Sequence, residues 1–313
     1  MNDATGYVAG REPVKASVRA LLDGLIDYAG LFPPAALSME DAVANYATYR
    51  RGPFAWMLGR FIVPAMRLGE FEQAAASRLP TGGGASAFSW RLSLLGTGDL
   101  AADAATIEAF NGTHEGVRID ALEMKYDPEA IVTDLPGVTL WFEVTSGPSL
   151  GAALWQIAAA GHGVKLRTGG VAADMIPPTQ AVAQVLFGCA RAGARMKATA
   201  GLHHPIRAPH RLTYADDSPT ALMHGFVNLF VAAAIARELV LHGYPDPEAQ
   251  ATIAAVLDES DPNAFDWDDD GVTWREHRVD AAELVVMRQQ AARSFGSCSF
   301  EEPIEDLRQL GLL

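Results

Sequence analysis

The feature that most restricts the fold is an alternation. From Ile26 to about Leu241, short apolar runs take turns with amphipathic segments of helical period, which is the pattern of a parallel sheet wrapped by helices. Strands are expected at Ile26–Phe32, Gly59–Val63, Phe88–Leu95, Arg118–Lys125, Thr139–Thr145, Gly163–Arg167 and Arg195–Thr199. Helices are expected at Val14–Leu25, Ser38–Arg50, Arg67–Ser77, Leu100–Phe110, Leu150–Ala160 and Thr179–Ala192. Ser38, with Asp41 three residues on, reads as an N-cap, and Pro177-Pro178 opens the last of these helices. The run Thr220–Leu241 reads as helix with a short eighth strand at its start. Residues 1–245 are therefore expected to form an α/β fold, a (β/α)8 TIM barrel. After the break at Tyr244-Pro245-Asp246-Pro247, residues 246–313 are expected to form a mainly helical C-terminal extension packed on the barrel.

Composition narrows the partners. A hydrophobic content of 49% supplies a large core, and a formal net charge of -14 leaves no basic footprint for a nucleic-acid backbone. No run reaches the roughly 18 uninterrupted apolar residues of a membrane span, so no membrane partner is expected. Met1 to Pro13 lacks the basic head and apolar run of a signal peptide, and Cys189 and Cys298 imply no disulfide framework. A cytoplasmic, reducing location is expected. A homo-oligomer is compatible with the apolar outer positions of several helices. The glycines Gly82 to Gly84 read as a flexible turn.

Two strands repeat one pattern. Val164-Lys165-Leu166-Arg167-Thr168-Gly169 and Met196-Lys197-Ala198-Thr199-Ala200-Gly201 each carry a lysine at the end of an apolar run and a glycine four residues on. Parallel strands are buried on both faces, where an ammonium loses its hydration, so lysine is a poor choice there unless it serves chemistry. Side-chain alternation puts Lys165 with Arg167, Lys197 with Thr199, and Glu123 with Lys125, with Glu143 on the strand between. If these faces point inward, they converge at the C-terminal rim, where barrel enzymes keep their active sites. The structural alternative is a buried salt-bridge layer of Glu123 and Glu143 against Lys165 and Lys197. Asp27 and Tyr28 end the first strand near the same rim, where Asp27 either contacts substrate or caps a helix. Arg91 and Ser93 share a face of the third strand, where Arg91 binds an anion or pairs with Glu123.

A lysine beside a second cation has a lowered pKa and becomes nucleophilic toward carbonyl carbon. In this respect Val164 to about Arg207 resembles the paired lysine strands of class I deoxyribose-phosphate aldolases. Those enzymes carry a Lys-x-x-Thr-Gly strand end, a helix, then a second strand lysine followed by Ala and Gly. The resemblance implies that Lys165 forms an imine with substrate, that Lys197 lowers its pKa, and that an aspartate on an earlier strand assists proton transfer. By position that aspartate is Asp120, whose strand parity is opposite to that of Glu123 and Lys125; Glu123 is the alternative.

His203 and His224 follow runs expected to end at the rim and are candidate acids or bases, with His204 beside them. His162, His210, His242 and His277 read as structural or solvated. The leading expectation is a lyase or aldolase-type enzyme, without cofactor, that uses a Lys165 Schiff base on a small anionic carbonyl compound. Lys197, Glu123, His203 and His224 would assist, and Arg167, Lys125, Glu143, His204, Asp27 and Arg91 would bind the substrate. One alternative is a metal-dependent lyase or isomerase whose divalent ion is held by Glu123, Glu143 and the histidines. Another is a barrel that binds a metabolite without turning it over. Asp266 to Gly271 begins like a calcium loop, but His277 stands where that loop needs a glutamate, so a β-hairpin flanked by Phe265, Trp267, Val272 and Trp274 is expected instead.

Overall fold

The computed structural model describes residues 13–80, 90–129, 131 and 134–313. The Gly82 to Gly84 turn, the Phe88 start of the third expected strand and the chain before Pro13 lie outside the described residues.

All seven expected strands are present, with helices between most of them. The chain runs α1 (Ala16–Leu22), β1 (Ile26–Tyr28), α2 (Met39–Tyr49), β2 (Leu58–Pro64), α3 (Leu68–Ala75), β3 (Trp90–Leu95) and α4 (Leu100–Thr113). It continues through β4 (Val117–Lys125), β5 (Thr139–Val144), α5 (Leu150–Ala159), β6 (Gly163–Arg167), α6 (Thr179–Ala192) and β7 (Arg195–Thr199). Local chemistry fixes the boundaries. The Ser38 side chain accepts the Asp41 N–H at 3.1 Å, capping α2, and Pro178 precedes the first residue of α6.

The eighth barrel strand is not the one expected. Thr220–Met223 forms β9, which pairs antiparallel with β8 (Ala208–Arg211) in a hairpin outside the barrel. The remaining elements are α7 (Phe226–Leu241), α8 (Asp246–Asp258), β10 (Phe265–Trp267), β11 (Gly271–Trp274), β12 (His277–Asp280), α9 (Ala281–Gln290), β13 (Ala292–Ser297) and α10 (Glu301–Gln309). The barrel closes in the order β1-β13-β7-β6-β5-β4-β3-β2, every neighbouring pair parallel. The closing strand thus comes from the stretch expected to pack outside the barrel. Ala292-Arg293-Ser294-Phe295-Gly296-Ser297 lacks the continuous Val, Ile and Leu run of a buried parallel strand, because its inward positions are small or polar.

Closure is secured from outside by Arg288 of α9. Its buried guanidinium donates to the Leu21 carbonyl at 2.8 Å, to that of Asp23 at 3.1 Å and to those of Ala292 and Arg293, tying the foot of β13 to the approach to β1. Burial lowers its pKa to about 9. Helix α7 is buried nearly all round, with α6 and α8 against it and Phe226 and Phe230 on Phe295 of β13. The β10 and β11 strands form the expected hairpin, Trp267 opposite Val272. Among the described residues no helix is long and apolar enough to cross a membrane.

Candidate active site

Charged side chains from non-adjacent strands meet inside the barrel. Lys197 of β7 reaches across to Glu123 of β4, Nζ to Oε1 2.6 Å, and to Asp27 of β1, Nζ to Oδ2 2.8 Å. Strands β7 and β4 are separated by two others, so this contact crosses the lumen. Lys165 of β6, in register with Lys197, bonds Glu123 Oε2 at 3.0 Å and Glu143 Oε2 at 3.1 Å. Arg167 pairs with Glu143 Oε1 at 3.0 Å. Three carboxylates and three cations therefore form one chain of contacts.

The pKa directions follow from that arrangement. Burial opposes the charge on Glu123, but Lys197, Lys165 and a 2.7 Å bond from Ser93 Oγ outweigh it and hold the carboxyl well below its ordinary range. Burial likewise opposes charge on Asp27 and Glu143, and their cations again win. For Lys197, burial pulls the amine down, but Asp27 and Glu123 pull it up further, so its pKa is raised. The two ammonium groups do not face one another as expected, because Glu123 stands between them with an oxygen on each.

Three glycines make this interior possible. Gly59 leaves room for Asp27, whose Oδ1 would lie 2.3 Å from a Cβ there. Gly169 and Gly201, the residues that close the two lysine motifs, pack backbone against backbone; a Cβ on Gly201 would meet the Gly169 Cα at 2.7 Å. Thr168 braces the same contact, its N–H on the Thr199 carbonyl at 3.0 Å and its hydroxyl on that of Ala200 at 2.6 Å. The repeated motif thus holds the loops after β6 and β7 together at the rim.

Above the cluster opens a cavity of about 260 Å³. Lys165, Glu123, Arg167, His203 and His204 line it, with Arg211, Tyr214, Cys298 and Glu302, which the sequence reading did not assign to the site. Arg211 and Tyr214 come from the β8–β9 hairpin, of which only the Thr220–Met223 strand is expected from the sequence, and that as a barrel strand. Cys298 directly follows the closing strand. Among the described residues the Arg211 guanidinium has no hydrogen bond or ion pair, and it faces a cavity with Arg167.

His203 Nδ1–H donates to Glu302 Oε2 at 3.0 Å, and its Nε2 lies 4.0 Å from Cys298 Sγ. Burial works against its charge, but the bonds to Cys298 and Glu302 prevail and raise it to about 9. His204 bonds Asp306 at 2.6 Å and stacks on His210 with ring centroids 3.4 Å apart. Burial and the neighbouring His204 push His210 down to about 4.

Other expected site residues lie elsewhere. Lys197 and Asp27 are sealed beneath the cavity, and Glu143 holds Lys165 and Arg167 without lining it. Lys125 is exposed at the end of β4 and is not on the cavity wall. His224 is buried against the Pro177 carbonyl at 2.8 Å and Arg207 at 3.3 Å, away from the wall. Arg91 pairs with Asp120, not Glu123, at 2.5 Å. Asp120 is the extra residue of a bulge on β4, where Leu92 pairs Ile119 but Ser93 pairs Ala121. The bulge resets the strand parity, and Asp120 is held by Arg60 at 2.6 Å and by Arg91 rather than by the lysines.

The residues of the metal alternative are not brought together. Among the described residues no group of three or more His, Cys, Asp and Glu side chains is arranged to hold a metal ion. Glu123 and Glu143 are engaged by lysines and arginine, and His224 is not near them on the cavity wall. No protein-family model matches the chain, and no curated protein and no solved structure matches it either. What is established is a TIM-barrel fold, an architecture shared by many lyases and aldolases.

Proposed function

We propose that this chain is a lyase of aldolase type that condenses Lys165 with a small anionic carbonyl compound. The observation that carries the reading is that Lys165, 4% exposed, meets the cavity with its amine between two carboxylates, whereas Lys197, 1% exposed, does not meet it. The residue type adds to this. The sequence has four lysines among 24 lysines and arginines, and two of the four are in register inside the barrel. A cation for packing alone is supplied elsewhere by arginine, as with Arg60 and Arg288; only lysine brings an amine that can form an imine.

The steps balance with the groups at hand. Lys165 gives a proton to Glu143, the more accessible of its two carboxylates, and the freed Nζ pair attacks the carbonyl carbon. The carbonyl oxygen takes that proton back and the nitrogen passes a second one to Glu143, giving a neutral carbinolamine. His203, protonated at neutral pH, supplies a second proton so that the hydroxyl leaves as water and an iminium remains. The iminium carries its positive charge where the ammonium stood, between Glu123 and Glu143, so the cluster suits both states. As an electron sink it weakens the neighbouring carbon–carbon bond, and Glu123 and His203 move the protons of that step. Lys197 keeps Glu123 ionised and in place. Arg211 and Arg167 bind the anionic group, and His204 completes the wall.

The test is turnover. The wild-type protein, screened against small keto acids, aldehydes and sugar phosphates, should cleave or join one of them. Lys165→Ala and Lys165→Arg should lose that activity, the second while keeping the charge. Product formed by either variant at the normal rate would remove the reading.

A further inference from the structure

A second reactive group lines the same cavity and plays no part in the chemistry above. Cys298 follows β13 directly, 5% exposed, with its sulfur on the cavity wall. His203 Nε2 stands 4.0 Å from Sγ, and Glu302 Oε2 holds His203 Nδ1 at 3.0 Å. A carboxylate on Nδ1 fixes the proton there and turns Nε2 toward the sulfur, as nucleophilic catalysis requires of a histidine and its orienting group. Tyr214 lies with its hydroxyl 3.6 Å from Sγ and 3.3 Å from Glu302 Oε2.

The backbone keeps this array in register. The Ser297 carbonyl takes the Ala29 N–H at 2.7 Å, fixing the end of β13 to the end of β1. The Ser299 N–H donates to Ser297 Oγ at 3.3 Å, and Ser299 Oγ in turn takes the Glu302 N–H at 3.1 Å. Cys298 and Glu302 are thus held on one short connection from the barrel into α10, while His203 comes from the loop after β7. The other cysteine, Cys189, is buried in α6, and burial raises its thiol to about 12. One cysteine has a histidine, an orienting carboxylate and a cavity; the other has none of these.

We infer that Cys298, His203 and Glu302 form a nucleophilic thiol site that adds reversibly to small aldehydes. His203, protonated on both nitrogens at neutral pH, holds its Nε2 proton beside the sulfur; the sulfur gives up its own proton to solvent and its electron pair attacks the aldehyde carbon. The C=O π pair moves to oxygen, which takes the Nε2 proton of His203, leaving a thiohemiacetal, and His203 regains a proton from solvent. Addition needs no leaving group, oxidant or second substrate, and the cavity of about 260 Å³ admits a small aldehyde. The inference does not rest on imine chemistry at Lys165.

The test is carboxyamidomethylation of the full chain by iodoacetamide at neutral pH, read by peptide mass spectrometry, with Cys189 as internal control. Cys298 should react faster than glutathione under the same conditions, while Cys189 stays unlabelled. His203→Asn and Glu302→Gln should each slow Cys298 by at least about tenfold. Labelling of Cys189 identifies a variant that has failed to fold, and the other variant then decides. In Lys165→Arg protein, where no imine can form at that position, acetaldehyde should slow the labelling of Cys298. A Cys298 rate no higher than that of glutathione, or unchanged in the folded variants, overturns the nucleophile; fast labelling that acetaldehyde does not slow overturns the aldehyde.

Discussion

Lys197 and Lys165 are the same residue on neighbouring strands, paired in register, yet they sit in different physical settings. Lys197 is closed in by Asp27 and Glu123, with the Trp141 ring centroid 6.0 Å from its amine. Asp27 is itself saturated, taking Ser294 Oγ at 2.7 Å and the Arg60 N–H at 2.8 Å. Nothing there is free to change partner. Lys165 shares each of its carboxylates with another cation, Lys197 on Glu123 and Arg167 on Glu143, and it opens on the cavity. A buried ammonium whose counter-ions are already shared can be consumed by chemistry without leaving a carboxylate bare. Pattern alone does not separate a structural lysine from a reactive one; the allocation of counter-ions does.

That contrast predicts unequal costs. Lys197→Met leaves Asp27 without its ammonium and strips one partner from Glu123 inside the barrel, and should cost about 3–5 kcal/mol in urea denaturation. At the mouth, His203 has a folded pKa of about 9 against 6.5 unfolded. A raised pKa contributes stability that is complete below 6.5 and disappears as pH rises through 9, here about 3 kcal/mol. Denaturation midpoints should therefore fall over that window, and His203→Asn should flatten the decline.

Lys165→Met should cost less than Lys197→Met, about 1–2 kcal/mol, because Glu123 keeps Lys197 and Glu143 keeps Arg167. Equal losses for the two lysines would break the comparison. The smallest effect is expected at Arg211, which has no partner to lose among the described residues. Arg211→Gln should leave stability unchanged and weaken anionic carbonyl ligands about tenfold in titration calorimetry.

Much of the architecture was legible because parallel strands and their helices carry strong apolar periodicity, and the seven strands from Ile26 to Thr199 follow it closely. The closing strand was not, because Ser294 and Gly296 serve the interior as a hydrogen-bond donor and as space. A stronger apolar run at Thr220–Met223 drew the expectation instead and proved to be a hairpin over the mouth. In the site, the convergence of Glu123, Glu143, Lys165 and Lys197 followed from side-chain alternation. The position of Asp120 did not, since one inserted residue on β4 reverses parity without any signature in composition. Glu302 and Tyr214 were invisible for another reason: they reach His203 and Cys298 only through tertiary packing of α10 and the β8–β9 loop.

The most direct test of the difference between the two lysines is borohydride trapping with the carbonyl panel, mapped at peptide level. With four lysines in the chain, the adduct can be assigned to one residue. An adduct on Lys165, absent from Lys165→Arg, is the predicted result. An adduct on Lys197, or none with any compound, would contradict the account.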